Sequence, residues 1–350
     1  MALRNIDDLV SAGLIAADSR SALEPVVASY AVAITPEMAR LINPSNPADP
    51  IGQQFVPSER ELHSTPEERF DPIGDDDFTP VKGIVHRYPD RVLLKPTHTC
   101  PVYCRFCFRR EVVGPDGAGN LTRAELAAAL DYIRQQPGIW EVIVTGGDPL
   151  TLSPRRLAEI IGALDAIEHV RIIRFHTRVP VVQPSRIDDA LLRALTASKP
   201  VYVALHANHP KELTAAVRSA CSRLAEAGIA MVSQTVLLRN INDNVETLAE
   251  LMRAFVEMRV RPYYLHHPDL ARGTGHFRIS IPEGQALMKA LRGRISGLCQ
   301  PTYVIDIPGG QGKSPAAAGY VTTAPDQAET ALIEDYQGRN HQYPPEAGEA

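Results

Sequence analysis

The chain has 350 residues, of which 44% are apolar, and its formal net charge is -5. These values are typical of a globular protein with one barrel-sized core and extensions. The mild negative charge argues against a nucleic-acid-binding protein, which needs a basic surface. No apolar run is long enough for a membrane-spanning helix and no secretory leader is predicted, so we expect a cytoplasmic protein without membrane partners. The five cysteines, three of them clustered, fit a reducing compartment.

Residues 1–90 are predicted to form a helical and irregular N-terminal extension. Thr35-Pro36-Glu37 has the pattern of a helix N-terminus, with a capping hydroxyl, a proline in the first turn and an acidic residue after it. Residues 43–80 are rich in Pro, Asp, Ser and Glu. This composition indicates either an extended wrap over the surface or a disordered linker.

From Arg91 onward, short apolar runs alternate with longer amphipathic segments. Six of these runs are predicted to be strands: 91–95, 140–144, 170–175, 201–205, 229–237 and 260–265. The first two intervening helices are marked by a capping box at Thr122–Glu125 and by Ser153-Pro154. Strands that alternate with helices in this way are parallel, which predicts an α/β fold. The count fits either a partial barrel or an open doubly wound sheet.

Polar and glycine-rich segments follow several of the predicted strands. They are 145–148, 176–178, 206–208 and 266–269. Catalytic groups lie at the carboxyl ends of parallel strands in both architectures. We therefore divide the chain into the extension, a barrel domain at residues 91–270, and a C-terminal segment at residues 271–350. The part after Tyr320, rich in Pro, Glu and Gly, is predicted to be a loosely attached tail.

Three cysteines follow the first predicted strand with the spacing C-x3-C-x2-C: Cys100, Cys104 and Cys107. Three thiolates on one loop can ligate three irons of a four-iron cluster. The fourth iron is then open to an organic ligand such as the amino and carboxylate groups of S-adenosylmethionine. A zinc site completed by His98 is one alternative, and a set of buried structural thiols is another. The spacing, the position after the strand and Phe106 favour the cluster.

A single lysine, Lys313, stands in the glycine-rich segment 306–315 near the C-terminus. A reachable lysine whose amine loses its proton can form a Schiff base with pyridoxal phosphate. A phosphate-binding loop is the alternative, but Ile307 stands where the first glycine of that motif is required, and the segment does not open a strand–helix unit. A flexible surface turn is the third interpretation.

The cysteine spacing resembles the radical S-adenosylmethionine superfamily, and the whole set of motifs resembles the lysine 2,3-aminomutase family. The similar segments lie between about residues 88 and 320: 88–91, 100–110, 145–148, 208–210, 234–239, 261–264, 269–270, 276–278 and 306–313. The resemblance implies a partial (β/α)6 TIM-like barrel with a 4Fe–4S cluster, S-adenosylmethionine and pyridoxal 5′-phosphate. It also implies that L-lysine and β-lysine are interconverted by an amino shift that a 5′-deoxyadenosyl radical starts.

The resemblance also implies residue roles. The three cysteines would ligate the cluster, and Lys313 would bind pyridoxal phosphate, whose phosphate would face Arg91. The S-adenosylmethionine pocket would comprise Gly146, Gly147, Asp148, Arg178, His206 and Gln234. Arg109 would bind the α-carboxylate of lysine, because its planar guanidinium matches a carboxylate. Asp269 and Asp306 would bind the side-chain ammonium, which offers three donors.

The chain departs from longer family members in two respects. Asn244 stands where those members carry an additional cysteine, and the last cysteine is Cys299, so we predict no structural zinc. The short length is similar to the branch that makes β-lysine for modification of elongation factor P. That branch tends to lose the acidic residue before the glycine loop, whereas this chain retains Asp306.

Other functions stay open at this point. The same chemistry could act on glutamate, ornithine or arginine, although Asp269 with Asp306 favours a cationic amino acid. A non-catalytic zinc module and a pyridoxal enzyme with a vestigial cluster are the alternatives from other classes. Besides free lysine, the expected partner is an electron donor such as flavodoxin or ferredoxin, and homo-oligomer formation is left open.

Overall fold

The structure is a computed structural model that describes residues 2–114, 119–323 and 330–344. Its helices are α1 (Ile6–Ser11), α2 (Arg20–Ser29), α3 (Pro36–Leu41), α4 (Pro50–Phe55), α5 (Arg123–Arg134), α6 (Pro154–Asp165), α7 (Val179–Val182), α8 (Asp189–Ala194), α9 (Ala215–Glu226), α10 (Val245–Glu257) and α11 (Ile281–Leu291). Its strands are β1 (Ile84–Tyr88), β2 (Arg91–Thr97), β3 (Glu141–Gly146), β4 (Ile172–Thr177), β5 (Val201–His206), β6 (Ala230–Val236), β7 (Val260–His266), β8 (Thr302–Ile307), β9 (Gly312–Pro315), β10 (Val321–Thr323), β11 (Ala331–Glu334) and β12 (Asn340–Tyr343).

Nine of the described strands form one sheet in the chain order β1 to β9. Strands β2 to β8 are parallel, while β1 and β9 pair antiparallel at the two edges. The α/β prediction with a partial parallel barrel is confirmed, and the six predicted strands are β2 to β7. A seventh parallel strand, β8, and the two edge strands were not predicted. Because β8 and β9 belong to this sheet, the chain after residue 300 continues the barrel.

The helices pack on the barrel through one apolar face each. In α6 the buried residues are Leu157, Ile160, Ile161 and Leu164, which recur with the spacing of an amphipathic helix. The capping box at Thr122–Glu125 is present at the start of α5, as predicted. These helices cover the outer side of the strands, so the side chains of alternate strand residues are left to face the interior of the barrel.

Burial along β4 shows this alternation directly. Ile173, Phe175 and Thr177 are buried beneath the helices, while Arg174 and His176 are half-buried on the opposite side of the strand. A strand with two polar residues on its inner face implies a polar barrel interior, since an ordinary barrel core is filled by branched apolar side chains.

The two edges of the sheet meet at Tyr88 and Lys313. The Tyr88 hydroxyl accepts a hydrogen bond from the backbone N–H of Lys313 at 2.7 Å. A β-carbon at Gly312 would lie 2.8 Å from the same hydroxyl, which is closer than packed atoms approach. Strand β9, which carries Lys313, is therefore fixed against β1, and the lysine is not on a free loop.

A segment of the N-terminal extension, residues 59–78 (hereafter the strap), lies over the surface and is anchored to the protein at a few buried positions. It carries three buried acidic residues at a spacing of seven, Glu61, Glu68 and Asp75. Glu68 pairs with Arg278 and accepts from the Gly273 N–H at 2.9 Å. The predicted wrap over the surface agrees with this segment, most of whose residues are exposed, whereas the disordered-linker alternative does not, because each of these carboxylates is paired with arginines elsewhere in the chain.

Glu61 is the most deeply buried of these acids. It accepts from Arg105 Nε at 2.9 Å and pairs with Arg110, and all three side chains are at most 1% exposed. Both arginines flank cysteines of the C-x3-C-x2-C loop. Glu61 therefore fixes this loop to the strap.

We expect Glu61→Gln to destabilise the protein strongly. Losing the charge of one partner leaves two buried guanidinium groups uncompensated, which typically costs about 3–5 kcal/mol. Thermal and urea unfolding of the variant measure this loss. Glu59→Gln is the control, because Glu59 is exposed and lies two residues away. Equal stability of the two variants would show that Glu61 does not hold the loop.

The described part of the C-terminal tail forms a second, three-stranded antiparallel sheet, β10 to β12. Lys289 of α11 holds it through an ion pair with Glu334, at 2.7 Å. Part of the predicted loose tail is thus ordered secondary structure, while residues 324–329 and 345–350 lie outside the described residues. Among the described helices, none is both long and apolar enough to span a membrane.

Candidate active site

One cavity of about 510 Å³ lies in the barrel interior and extends to the carboxyl ends of the strands. Every residue that the sequence assigned to a site lines it: Arg91, Cys100, Cys104, Cys107, Arg109, Gly146, Gly147, Asp148, Arg178, His206, Gln234, Asp269, Asp306 and Lys313. These residues come from β2 through β9 and from the loops after them. The volume lies within the range of small-molecule sites, about 300–1,000 Å³.

The three loop cysteines are free thiols, each partly exposed toward the cavity. Burial raises the pKa of Cys104, and raises that of Cys107 to about 11. Within the described residues, no three His, Cys, Asp or Glu side chains converge on the position of a single metal ion. A four-iron cluster needs no such convergence, because each thiolate ligates a different iron.

Gly146 and Gly147 allow the end of β3 to approach the chain that enters the cysteine loop. A β-carbon at Gly146, whose φ is +112°, would lie 2.4 Å from the Thr97 carbonyl oxygen, and one at Gly147 would lie 2.4 Å from that of Thr99. The Gly147 and Asp148 N–H groups donate to the same two carbonyls, at 2.8 and 2.9 Å. These glycines therefore position the cysteine loop. The contact with S-adenosylmethionine that the resemblance implies for them would be a second role.

Asp148 joins the end of β3 to the end of β4. Its carboxylate accepts from Thr177 Oγ1 at 2.7 Å and from the backbone N–H groups of Arg178, Val179 and Leu150 at 2.6–3.1 Å. Protein groups thus fix the Asp148 side chain, and Asp148 in turn fixes the backbone of Arg178 at the end of β4.

Lys313 and Asp306 lie directly opposite each other in the β8–β9 hairpin. The lysine Nζ is 2.5 and 2.6 Å from the two carboxylate oxygens. His266 Nδ1 is 3.6 Å from the same carboxylate. Burial opposes the charge of Asp306, but His266 and Lys313 outweigh it and lower the pKa of Asp306 to about 2.

Asp269 is the second acidic residue of this region. Burial and the neighbouring charge of Asp306 raise the pKa of Asp269 to about 7. Near neutral pH Asp306 is therefore charged, whereas the carboxyl of Asp269 retains its proton to a greater extent. Such a pair attracts a compact cation, because a bound cation favours ionisation of the second carboxyl.

Arg109 and Arg91, the cavity's predicted anion-binding residues, are already oriented. Asp75 of the strap accepts from Arg109 Nε at 3.2 Å and Nη2 at 3.0 Å, and also binds Arg87 at 3.1 Å. Arg91 lies over the Tyr88 ring, 3.7 Å from its centroid. Asp75 thus binds Arg109 and Arg87 at one edge of each guanidinium and leaves the remaining donors for a ligand.

Several cavity residues were missed by the sequence reasoning. Arg174 pairs with Glu141 of β3 at 3.0 Å, and the rings of Tyr263 and Tyr264 stack at 3.8 Å. The alternation of polar and apolar residues along β4 was an available signal for Arg174 and His176. Both tyrosines lie in the segment 261–264, which carries part of the resemblance, but no pattern distinguishes Glu141.

The chemistry of the cavity fits the cofactors that the sequence implied. The three thiols of the cavity suit an iron–sulfur cluster, and its lysine suits a carbonyl group that reacts with amines. Its arginines suit anionic groups. Within the described residues, the buried Nε2 atoms of His176 and His206 have no hydrogen-bond partner, and both residues line the cavity. Buried polar atoms are normally paired, so these two are available to a ligand.

The comparisons with known proteins agree with this site. Residues 94–252 match the family model described as the Radical SAM superfamily. The L-lysine 2,3-aminomutase of Clostridium subterminale is 41% identical over 89% of this chain and 74% of its own length. The Bacillus subtilis protein of the same name is 38% identical over 98% of this chain and 72% of its own. A glutamate 2,3-aminomutase of Clostridioides difficile is 35% identical over 92% and 76%. The chain belongs to the lysine 2,3-aminomutase family of radical S-adenosylmethionine enzymes.

Proposed function

We propose that the chain is an L-lysine 2,3-aminomutase that interconverts L-lysine and β-lysine. The observation that carries this proposal is the presence of Lys313, Arg109 and the pair Asp269–Asp306 in one cavity with the cysteine loop. Free lysine has a carboxylate at one end and an ammonium at the other. A site that selects it needs a fixed cation and a fixed anion with a reactive centre between them.

The proposed cofactors are a 4Fe–4S cluster, S-adenosylmethionine and pyridoxal phosphate. When bound, the first two supply a radical that removes hydrogen from the substrate, and the third supplies a conjugated ring that assists migration of the amino group. Cys100, Cys104 and Cys107 would hold the cluster. Lys313 would attach pyridoxal phosphate, and Arg91 would face its phosphate.

The remaining residues position the substrate and exclude water. Arg109, held by Asp75, would bind the α-carboxylate through its free donors. Asp306 and Asp269 would bind the side-chain ammonium after Lys313 has released Asp306 to attach the cofactor. His206, Gln234 and Gly146 would line the S-adenosylmethionine side of the cavity. Enclosure of these groups in the barrel keeps radicals away from water.

We expect lysine to bind more tightly as the pH rises through about 7. Asp306 stays ionised throughout, whereas Asp269 gains its charge near its pKa of about 7. The lysine ammonium stays protonated over this range. One additional charged contact is worth about 1.5–3 kcal/mol, so KM for lysine should fall by roughly tenfold between about pH 6 and about pH 8.

Asp269→Asn tests the origin of this pH dependence. The asparagine variant should bind lysine weakly at every pH, with a flat KM profile over the same range. A wild-type profile that does not fall, or a variant that keeps the slope, would assign the pH dependence to another group.

A panel of amino acids tests the substrate. The anaerobically reconstituted and reduced protein is offered L-lysine, L-ornithine, L-arginine and L-glutamate separately, and products are separated by chromatography and mass spectrometry. We expect lysine to be converted fastest and glutamate not at all, because Asp269 and Asp306 repel a side-chain carboxylate. Conversion of glutamate alone would overturn the lysine assignment, and preference for ornithine or arginine would restrict it to cationic amino acids.

Two broader proposals accompany this function. The cluster needs one electron per activation, so we infer a low-potential donor protein such as flavodoxin or ferredoxin. A reducing cytoplasmic location is supported by the five free cysteines. The absence of structural zinc stays a prediction from the sequence, a role in modifying elongation factor P stays an alternative, and homo-oligomer formation stays open.

A further inference from the structure

The guanidinium of Arg178 contacts one of the three cysteines directly. Its Nη1 donates to Cys104 Sγ at 3.0 Å, and the residue is only 5% exposed. Its Nη2 donates to Gln54 Oε1 at 2.6 Å and to Glu212 Oε2 at 2.7 Å. The resemblance assigned Arg178 to the S-adenosylmethionine pocket; in the structure both Nη atoms contact protein atoms, while the buried Nε has no partner among the described residues.

The groups that hold Arg178 are themselves immobile. Glu212, whose side chain is fully buried, accepts from the Asn208 and His209 N–H groups at 2.9 Å each and from Gln54 at 3.1 Å. These contacts join helix α4 of the extension to the end of β5. They therefore fix the orientation of the Arg178 guanidinium.

Two aromatic rings hold the same group from the sides. The guanidinium carbon lies 4.7 Å from the Phe55 ring centroid and 5.4 Å from that of Phe106, which precedes Cys107. The rings and the burial of Arg178 place the guanidinium in an environment of low dielectric constant. In such a low-dielectric environment a fixed charge acts strongly on its neighbour.

We propose that Arg178 is a positioning residue that orients the Cys104 thiolate and raises the reduction potential of the cluster bound there. The inference rests on the proposed ligation by Cys104. A hydrogen bond from a cation to a thiolate is charge-assisted, and hydrogen bonds to cluster sulfurs are a known determinant of potential. Reduction adds negative charge to the cluster, so the nearby cation stabilises the reduced form more than the oxidised form. Glu212 offsets part of this charge but binds Nη2, whereas the thiolate meets Nη1.

Redox titration of the reconstituted protein tests this role. Wild type, Arg178→Gln, Arg178→Lys and Arg174→Gln are compared by iron and sulfide content and by the midpoint potential from the electron paramagnetic resonance signal. Arg174 is the matched control, because it lines the same cavity from β4, four residues before Arg178, but pairs with Glu141. We expect a shift to more negative potential in Arg178→Gln, little change in Arg174→Gln, and partial restoration in Arg178→Lys.

The outcomes test the ligation of the cluster by Cys104 and the role of Arg178 separately. A wild-type protein without a four-iron signal would overturn the proposed ligation and this inference with it. A full cluster with an unshifted potential in Arg178→Gln would overturn only the role of Arg178. If Arg178→Gln holds no cluster while Arg178→Lys does, a cation is required at Cys104 and the proposal stands. Loss of the cluster in both Arg178 variants, with normal folding, would overturn the role of the charge.

Discussion

Replacing Lys313 with alanine is expected to abolish β-lysine formation, a loss of at least about three orders of magnitude. The reason is that its amine is the group proposed to attach pyridoxal phosphate, and no other lysine lines the described cavity. The β8–β9 hairpin places this amine opposite Asp306, and Tyr88 fixes its backbone. Cofactor attachment is measured by borohydride reduction followed by peptide mass spectrometry, and activity by product chromatography.

Two variants separate attachment from the ion pair with Asp306. Lys313→Arg keeps a cation opposite the carboxylate but cannot attach the cofactor, so we expect it to be as inactive as Lys313→Ala. Lys289→Ala is the control outside the cavity, because Lys289 binds Glu334 of the second sheet. Substantial activity in Lys313→Arg, or label on another lysine, would contradict the assignment.

Replacing Cys104 with alanine is expected to remove the cluster and with it all radical chemistry. Changes to groups that only support metal ligands reduce affinity by about 10–100-fold, so loss of a ligand should exceed that range. The variant should lack the iron, sulfide and visible absorption of the wild type and should release no 5′-deoxyadenosine. Iron analysis after anaerobic reconstitution measures the effect.

Cys221→Ala is the matched control, since Cys221 is a free thiol buried in α9 away from the cavity. It should retain the cluster and its turnover. If Cys104→Ala and Cys221→Ala bind equal amounts of iron, the loop is not the cluster site. If zinc instead of iron is retained by the wild type, the alternative with His98 as a fourth ligand is favoured.

Much of the barrel could be predicted because its strands are short apolar runs between amphipathic helices. The six predicted strands agree with β2 to β7 to within about two residues, and the caps at Thr122 and Ser153 begin α5 and α6. Strand β8 was missed because the run around Tyr303 and Val304 is too short to distinguish a strand by itself. Its pairing with β7 depends on how α11 packs, which no local pattern reports.

The site residues could be selected from the resemblance, but their supporting partners could not. Tyr88 and Lys313 are 225 residues apart, and Glu61 lies 44 residues from Arg105. An acidic, proline-rich segment such as the strap has the composition of an exposed loop. Three of its acids are buried, because arginines from other parts of the chain neutralise them, and one of the three, Asp75, orients Arg109. Such long-range charge pairing leaves no signal in a single sequence.

The most direct test of the proposed function is turnover of L-lysine by the wild-type protein. The protein is reconstituted anaerobically with iron, sulfide and pyridoxal phosphate, reduced, and supplied with S-adenosylmethionine and L-lysine. We expect β-lysine to accumulate over many turnovers per S-adenosylmethionine consumed, because hydrogen returns to the product at the end of each cycle. Unchanged lysine in the presence of a full cluster and continuous release of 5′-deoxyadenosine would contradict the assignment of lysine as the substrate.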